Sequence, residues 1–282
     1  MTVLAVTGST GRVGGLVARR LGPAVGRLVV RDASRAPQVE GDPEVVEATY
    51  GDAEAGQRAL RGVDVLFMVS GAESEVRRDE HRTFIEAAAA RAGVGHIVYT
   101  SFAGAAPDAV FTLGRDHHDA EETIRRSGMT WTLLRDNFYS DFFPLFAGED
   151  GVVRGPAGEG RVSAVARADV GEAAVAVLQD PASHAGRTYT LTGPEAFSVR
   201  EACARMTSAL GRPFTYVEES VEEAYESRRV WTEEQWQLDA WVSTYLAIGS
   251  GLLADVSDDV ERLTGHRPRT LEEALLDGLS PA

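Results

Sequence analysis

The sequence predicts an α/β fold, a doubly wound parallel sheet followed by a smaller, mainly helical C-terminal region. Three observations predict it. Short apolar runs alternate with helical patterns through the first half. A glycine-rich stretch, T-G-S-T-G-R-V-G-G at residues 7–15, follows the first run and opens a helix, and helical spacing dominates from residue 198 onward. Apolar strands joined by helical crossovers pair in parallel and are covered on both faces.

In chain order, residues 3–6, 27–30, 45–49, 63–69, 96–100 and 131–134 read as strands. Residues 12–21, 55–61, 75–92 and 116–127 read as the helices between them, closed near Gly22, Gly62, Gly93 and Gly128. The glycines of the first turn, Gly8, Gly11 and Gly14, each have a use: Gly8 permits the turn, Gly11 lets the backbone approach a pyrophosphate, and Gly14 lets the helix pack on its strand. Strand, glycine turn and helix in that order are the Rossmann-type arrangement that holds a dinucleotide. After Asn137 an aromatic cluster at 138–146 leads into a glycine-rich loop at 148–160. Residues 162–178 read as a crossover helix and 188–192 as one more strand; helices follow at 198–210, 221–229, 232–248, 255–263 and 271–279. The expected division is a dinucleotide-binding domain at 1–145 and a substrate region at 146–282, with 161–192 returning to the Rossmann sheet.

Composition narrows the class. The 282 residues are 44% apolar and 7% aromatic, and no run approaches the roughly 20 apolar residues of a membrane span. The chain opens directly on a strand, with no basic segment ahead of a long apolar one, and Cys203 stands alone; a cytoplasmic protein is expected. A net charge of −15 speaks against nucleic acid or an anionic membrane as partner. All 28 basic side chains are arginine, and the chain has no lysine. A homodimer is expected only on the general ground that soluble oligomers favour two-fold symmetry.

Candidate site residues follow the strand ends. Gly8, Thr10, Gly11, Arg12, Val13 and Gly14 would hold the pyrophosphate. At the tip of the second strand Asp32 has the spacing of an acid that binds a ribose 2′-hydroxyl, which favours NADH, whereas Arg31 and Arg35 offer donors to a 2′-phosphate. NADPH is the favoured reading and NADH the alternative. Asp52 follows the third strand, where it can accept from the adenine amine, cap the next helix, or both. Val69, Ser70 and Gly71 close the fourth strand and Thr100 and Ser101 the fifth, at the ends where ligands sit; Ser101 is a candidate donor beside the nicotinamide. His117 and Glu121 share a helix face and either relay a proton or form an inert pair; with no third ligand evident, no metal is expected. Asn137, Phe138, Tyr139, Phe142 and Phe143 suit a planar substrate or form core.

Several stretches together resemble a known family. They are V-T-G-S-T-G-R-V-G-G at 6–15, V-V-R-D-A-S-R at 29–35, A-G-V-G-H-I-V-Y-T-S at 92–101, S-G-M-T-W-T-L-L-R at 127–135, T-G-P-E-A-F-S at 192–198 and T-G-H-R-P-R-T-L-E-E at 264–273. These resemble the NmrA-like atypical short-chain dehydrogenases/reductases, nearest to type 2 NAD(P)H:quinone oxidoreductases. The resemblance implies an NADPH-dependent reductase of a quinone-like or conjugated carbonyl compound. It also implies a histidine and glutamate on the helix after the fifth strand, matching His117 and Glu121. Taken with the strand-end positions, Ser101, His117 and Tyr139 are the expected catalytic residues, with Asn137, Phe138 and Phe142 at the substrate. The Tyr-x-x-x-Lys pair usual in short-chain dehydrogenases cannot exist without lysine. The alternatives are a nucleotide-binding redox sensor of the NmrA type, which acts on a protein partner, and a non-redox natural-product enzyme on the same fold.

Overall fold

The computed structural model describes residues 2–279. Two compact units are assembled from interleaved segments of the chain. The first comprises the chain up to Phe102, Asp116–Arg135 and Val170–Tyr189; the second comprises Ala103–Arg115, Asp136–Asp169 and the chain from Thr190 onward.

The strands of the main sheet are β1 (Leu4–Thr7), β2 (Val25–Val30), β3 (Glu44–Glu47), β4 (Val65–Met68), β5 (His96–Phe102), β6 (Thr130–Asp136) and, after two short strands given below, β9 (Arg187–Leu191). Their spatial order is β3-β2-β1-β4-β5-β6-β9. The pairs β1–β2, β2–β3, β1–β4 and β4–β5 are parallel. Order reverses between β1 and β4, which places the topological switch point, and hence the ligand crevice, at the carboxyl ends of those two strands. The connecting helices are α1 (Arg12–Leu21), α2 (Ala53–Leu60), α3 (Arg77–Glu86), α4 (Thr112–Arg126) and α5 (Arg167–Gln179).

The core of the first unit explains the strand pattern. Leu66 and Met68 of β4 and Ile97 and Tyr99 of β5 point to one face, where Phe84 and Ile85 of α3 and Ala120 and Ile124 of α4 cover them. Phe67 and Val98, at the alternate positions, are equally buried, as a sheet covered on both faces requires. Each such side chain withdrawn from water contributes about 1.5–3 kcal/mol.

The second unit holds the short strands β7 (Val152–Gly155), β8 (Arg161–Val162), β10 (Phe197–Ser198) and β11 (Thr215–Glu218), and the helices α6 (Val199–Leu210), α7 (Val221–Arg228), α8 (Gln235–Gly249), α9 (Asp259–Thr264) and α10 (Leu271–Leu279). β7 pairs in parallel with β11, and β8 antiparallel with β10. The glycine-rich stretch expected to be a loop therefore carries a strand, β7, and leads directly into β8. Its glycines mark close packing: a Cβ at Gly155 would lie 2.4 Å from the Tyr245 ring, and one at Gly160 would lie 2.2 Å from the Ile248 carbonyl, both on α8. Helix α5 starts at Arg167 rather than at 162 because Val162 is drawn into β8. Among the described residues, no helix is long and apolar enough to cross a membrane.

Candidate active site

The turn after β1 has the geometry its glycines imply. Gly8 sits at φ +63°, in the left-handed region, and a Cβ there would also come within 2.8 Å of Val69. A Cβ on Gly14 would lie 2.4 Å from the Gly8 carbonyl oxygen, so only glycine lets α1 approach its strand this closely. Gly11 caps α1 with no side-chain hydrogen bond, and the first turn carries no acidic residue. Its N–H groups have no intrahelical acceptor. Ser9 Oγ is buried without a hydrogen-bond partner at the same turn. An anionic pyrophosphate would meet those donors and that hydroxyl, so the residues present fit a dinucleotide.

Beside this turn, side chains hold the first three residues of the loop leaving β4. Three successive N–H groups each donate to a different element: Val69 to Thr7 Oγ1 of β1 at 2.9 Å, Ser70 to Thr100 Oγ1 of β5 at 2.8 Å, and Gly71 to His81 Nε2 of α3 at 2.8 Å. On the carbonyl side, Tyr50 Oη donates to Val69 at 2.6 Å and Arg77 Nε to Gly71 at 3.0 Å. Behind the loop, Arg77 Nη2 donates to His117 Nε2 at 3.0 Å, and Tyr99 Oη lies 3.3 Å from His81 Nδ1 and 3.2 Å from His117 Nδ1. An amide and a guanidinium only donate, so both Nε2 atoms must be unprotonated acceptors. Burial first, and then the nearby Arg77 charge, hold both histidines well below the ordinary imidazole range.

Those depressed values fix a pH dependence. The unfolded chain takes up two protons near the ordinary value of about 6.5 that the folded protein refuses until lower pH, so stability falls as the medium is acidified below about 6.5. The thermal midpoint, measured from neutral to mildly acid pH, is expected to drop, and more gently in His117→Gln; an equal slope in the variant would refute this origin.

At the tip of β2 the carboxylate and the arginines part company. Asp32 Oδ1 accepts from both Ser34 N–H and Ser34 Oγ, which caps a short turn at Ala33–Arg35 and lowers its pKa. Arg31 and Arg35 are exposed. Asp52 caps α2, its Oδ1 accepting from Ala55 N–H at 2.9 Å.

Four of the groups expected to do chemistry are engaged within the protein. Ser101 is fully buried and donates to Glu121 Oε1 at 2.6 Å, so its hydroxyl is not presented to a ligand. Glu121, also fully buried, accepts both Nε and Nη2 of Arg135 at 2.7 and 2.6 Å and Nη2 of Arg125 at 2.9 Å. Burial alone would raise its pKa, but hydrogen bonds from Arg135 and Ser101 and the charges of Arg135 and Arg125 outweigh that and lower it. His117 and Glu121 thus serve separate networks and form no relay, because one is drawn toward α3 and the other toward β6. His117 is held by Arg77 on Nε2 and by Tyr99 Oη beside Nδ1. Asn137 is buried as a tie within the second unit, its Nδ2 donating to Ser163 Oγ and the Leu253 carbonyl and its Oδ1 accepting from Phe138 N–H.

The aromatic segment divides. Phe143 is fully buried against Phe146 and Phe197 and is core. Phe142 remains 39% exposed under Arg167, and Phe138 packs edge-on against Phe111. Tyr139 donates to Asp136 Oδ2 at 2.6 Å; burial and that carboxylate hold its phenol well above the usual tyrosine range. Tyr50, Arg77, His81 and Tyr99 are the site residues that sequence reasoning missed. The available signal was the four-residue spacing of Arg77 and His81 on one helix face.

Residues 8–181 match the family model for NAD(P)H binding. The chain belongs to this NAD(P)H-binding family. Among its relatives is a (4-alkanoyl-5-oxo-2,5-dihydrofuran-3-yl)methyl phosphate reductase of Streptomyces griseus, 36% identical over 96% of each chain. Quinone oxidoreductase 2 of Escherichia coli is 32% identical over 97% of each. The crystal structure of that NADPH-dependent enzyme with NADPH superimposes with a TM-score of 0.86 over 98% of this chain and 99% of the other. The resemblance drawn from the motifs, and the Rossmann-type fold, are borne out.

Proposed function

We propose that this family member is an NADPH-dependent reductase of a small, flat, conjugated acceptor of the quinone type. The observation that carries the nucleotide preference is the tip of β2, where Asp32 is spent on capping its own turn while Arg31 and Arg35 face solvent. Named reductases aligned with nearly the whole chain support the reaction class.

In this reading Gly8, Thr10, Gly11, Arg12, Val13 and Gly14 seat the pyrophosphate, Arg31 and Arg35 fork onto the 2′-phosphate, and Asp52 offers its second carboxylate oxygen to the adenine amine. Val69, Ser70, Gly71 and Thr100 fix the strand ends toward the nicotinamide. Phe138, Tyr139 and Phe142 present the acceptor side. Reduced nicotinamide supplies a hydride when bound. The protein's part is placement, because oxygens of a reduced quinone take protons from water and need no dedicated acid. That requirement agrees with a neutral, engaged His117 and with a Tyr139 proton retained by Asp136.

Purified protein mixed with NADPH and a panel of quinones is expected to consume the nucleotide only when an acceptor is present. Arg31→Glu should raise KM for NADPH by about 10- to 100-fold, the value of a charge-assisted phosphate contact, and leave NADH use unaltered. Nucleotide binding with no turnover across the panel would sink the reading in favour of a sensor.

A further inference from the structure

Gly71 is gripped on both sides of its position: its N–H donates to His81 Nε2 and its carbonyl accepts from Arg77 Nε. Both side chains come from one face of α3 and are almost wholly buried, at 1% and 3% exposure. The fit leaves little slack, since a Cβ on Gly71 would lie 3.2 Å from His81 Nε2 and 3.4 Å from the Tyr50 ring. Arg77 is itself fixed, with Nη2 on His117 and Nη1 3.5 Å from Asp116.

We propose that Arg77 and His81 are positioning residues for the nucleotide: they clamp the loop leaving β4, and His81 makes that clamp sensitive to protons. The proposal rests on the reductase reading given above. A backbone N–H can only donate, so the clamp requires the Nε2 lone pair. A proton on that nitrogen would set two donors against each other at 2.8 Å. The titratable and charged groups that face His81 among the described residues come from three elements and the segment after β3. Arg77 lies on its own helix, Tyr50 on the segment after β3 with its ring 5.7 Å away, and Tyr99 on β5 at 6.0 Å. His117 and Asp116 of α4 stand behind Tyr99 and Arg77. Asp116 is shared between Arg77 and Arg78, so this carboxylate is already engaged and does not pair with His81. The clamp is therefore closed at neutral pH and opens in acid.

The test uses the full chain and two variants, with NADPH as the probe, titrated by nicotinamide fluorescence from neutral pH down to the lowest pH at which the protein stays folded, since His81 takes up its proton only well below the ordinary imidazole range. His81→Leu fills the space without an acceptor; His81→Gln supplies a carbonyl oxygen that does not titrate. His81→Leu should weaken NADPH by roughly tenfold, with the loss in KM rather than kcat, as expected for a buried donor left unmade. Exchange of the Gly71 amide hydrogen in nucleotide-free protein should accelerate in parallel. His81→Gln should restore neutral-pH affinity and abolish the loss that wild type shows on acidification. Wild-type affinity in His81→Leu, or an unchanged acid profile in His81→Gln, overturns the clamp while leaving the reductase reading intact. Should His81→Leu fail to fold, the acid profile of His81→Gln decides alone. A wild-type protein that does not bind NADPH at neutral pH overturns both.

Discussion

Gly14→Ala is expected to cost about 100-fold in NADPH affinity, roughly 2.7 kcal/mol, with Gly14→Val worse still. The reason is where the added carbon must go. Its three nearest neighbours would be Gly8 O at 2.4 Å, Gly8 C at 2.6 Å and Thr7 O at 2.8 Å, all of them backbone, so no side chain can swing aside. Either α1 lifts from β1 or the turn at Gly8 deforms, and both displace the donors that would face the pyrophosphate. Gly11→Ala is the internal comparison: its Cβ would meet only Gly8 O, at 3.3 Å, and a smaller loss is expected. Fluorescence titration with NADPH measures the effect, and thermal melts separate lost binding from lost folding. Binding by Gly14→Ala within about threefold of wild type would refute the close-packing account.

The second large effect falls on stability rather than on the nucleotide. Glu121→Gln should lower unfolding free energy by about 3 kcal/mol, the lower end of the range for breaking a buried ion pair. The carboxylate is wholly buried, whereas the side chains of Arg135 and Arg125 are 26% and 31% exposed and can recover some water once abandoned. Urea melts should show the midpoint falling at constant slope, since the exposed surface is unaltered. Arg135→Leu should cost a comparable amount, and the double variant less than the sum, because each single change already breaks the same pair. A nicotinamide-band assay should show KM for NADPH near wild type in Glu121→Gln at low temperature. A selective collapse of kcat would instead return Glu121 to the chemistry.

The frame of the first unit was legible because its signals are local. Apolar runs, glycine stops and the 7–15 motif are each read within a dozen residues, and strands and helices fell where those signals put them. The pairing of β7 with β11 was not legible: Thr215–Glu218 lies among helical patterns, and glycine density at 148–160 signals a loop and close helix packing alike. The candidate site was legible where backbone shape decides, at Gly8, Gly11 and Gly14, and at the tip of β2. It was obscured where side chains from separate elements meet. Arg77 and His81 lie in E-V-R-R-D-E-H-R, a run with the look of a solvated face, and only the tertiary fold shows that two of its members turn inward. Ser101, His117 and Glu121 stand out in the sequence as candidates for chemistry, but the partners that engage them, Arg135 and Arg77, come from other elements and are invisible to local patterns.

The interleaving of the two units bears on how this protein can be made. The seventh strand of the main sheet, β9, is Arg187–Leu191, so the first unit lacks its last segment until the ribosome has passed residue 189. Two segments of the second unit have by then already emerged, and they must wait for the chain from Thr190 onward. Domains ordinarily fold one after another as they leave the ribosome. Here neither unit can finish on its own stretch of nascent chain, and no single cut in the gene would yield either one whole.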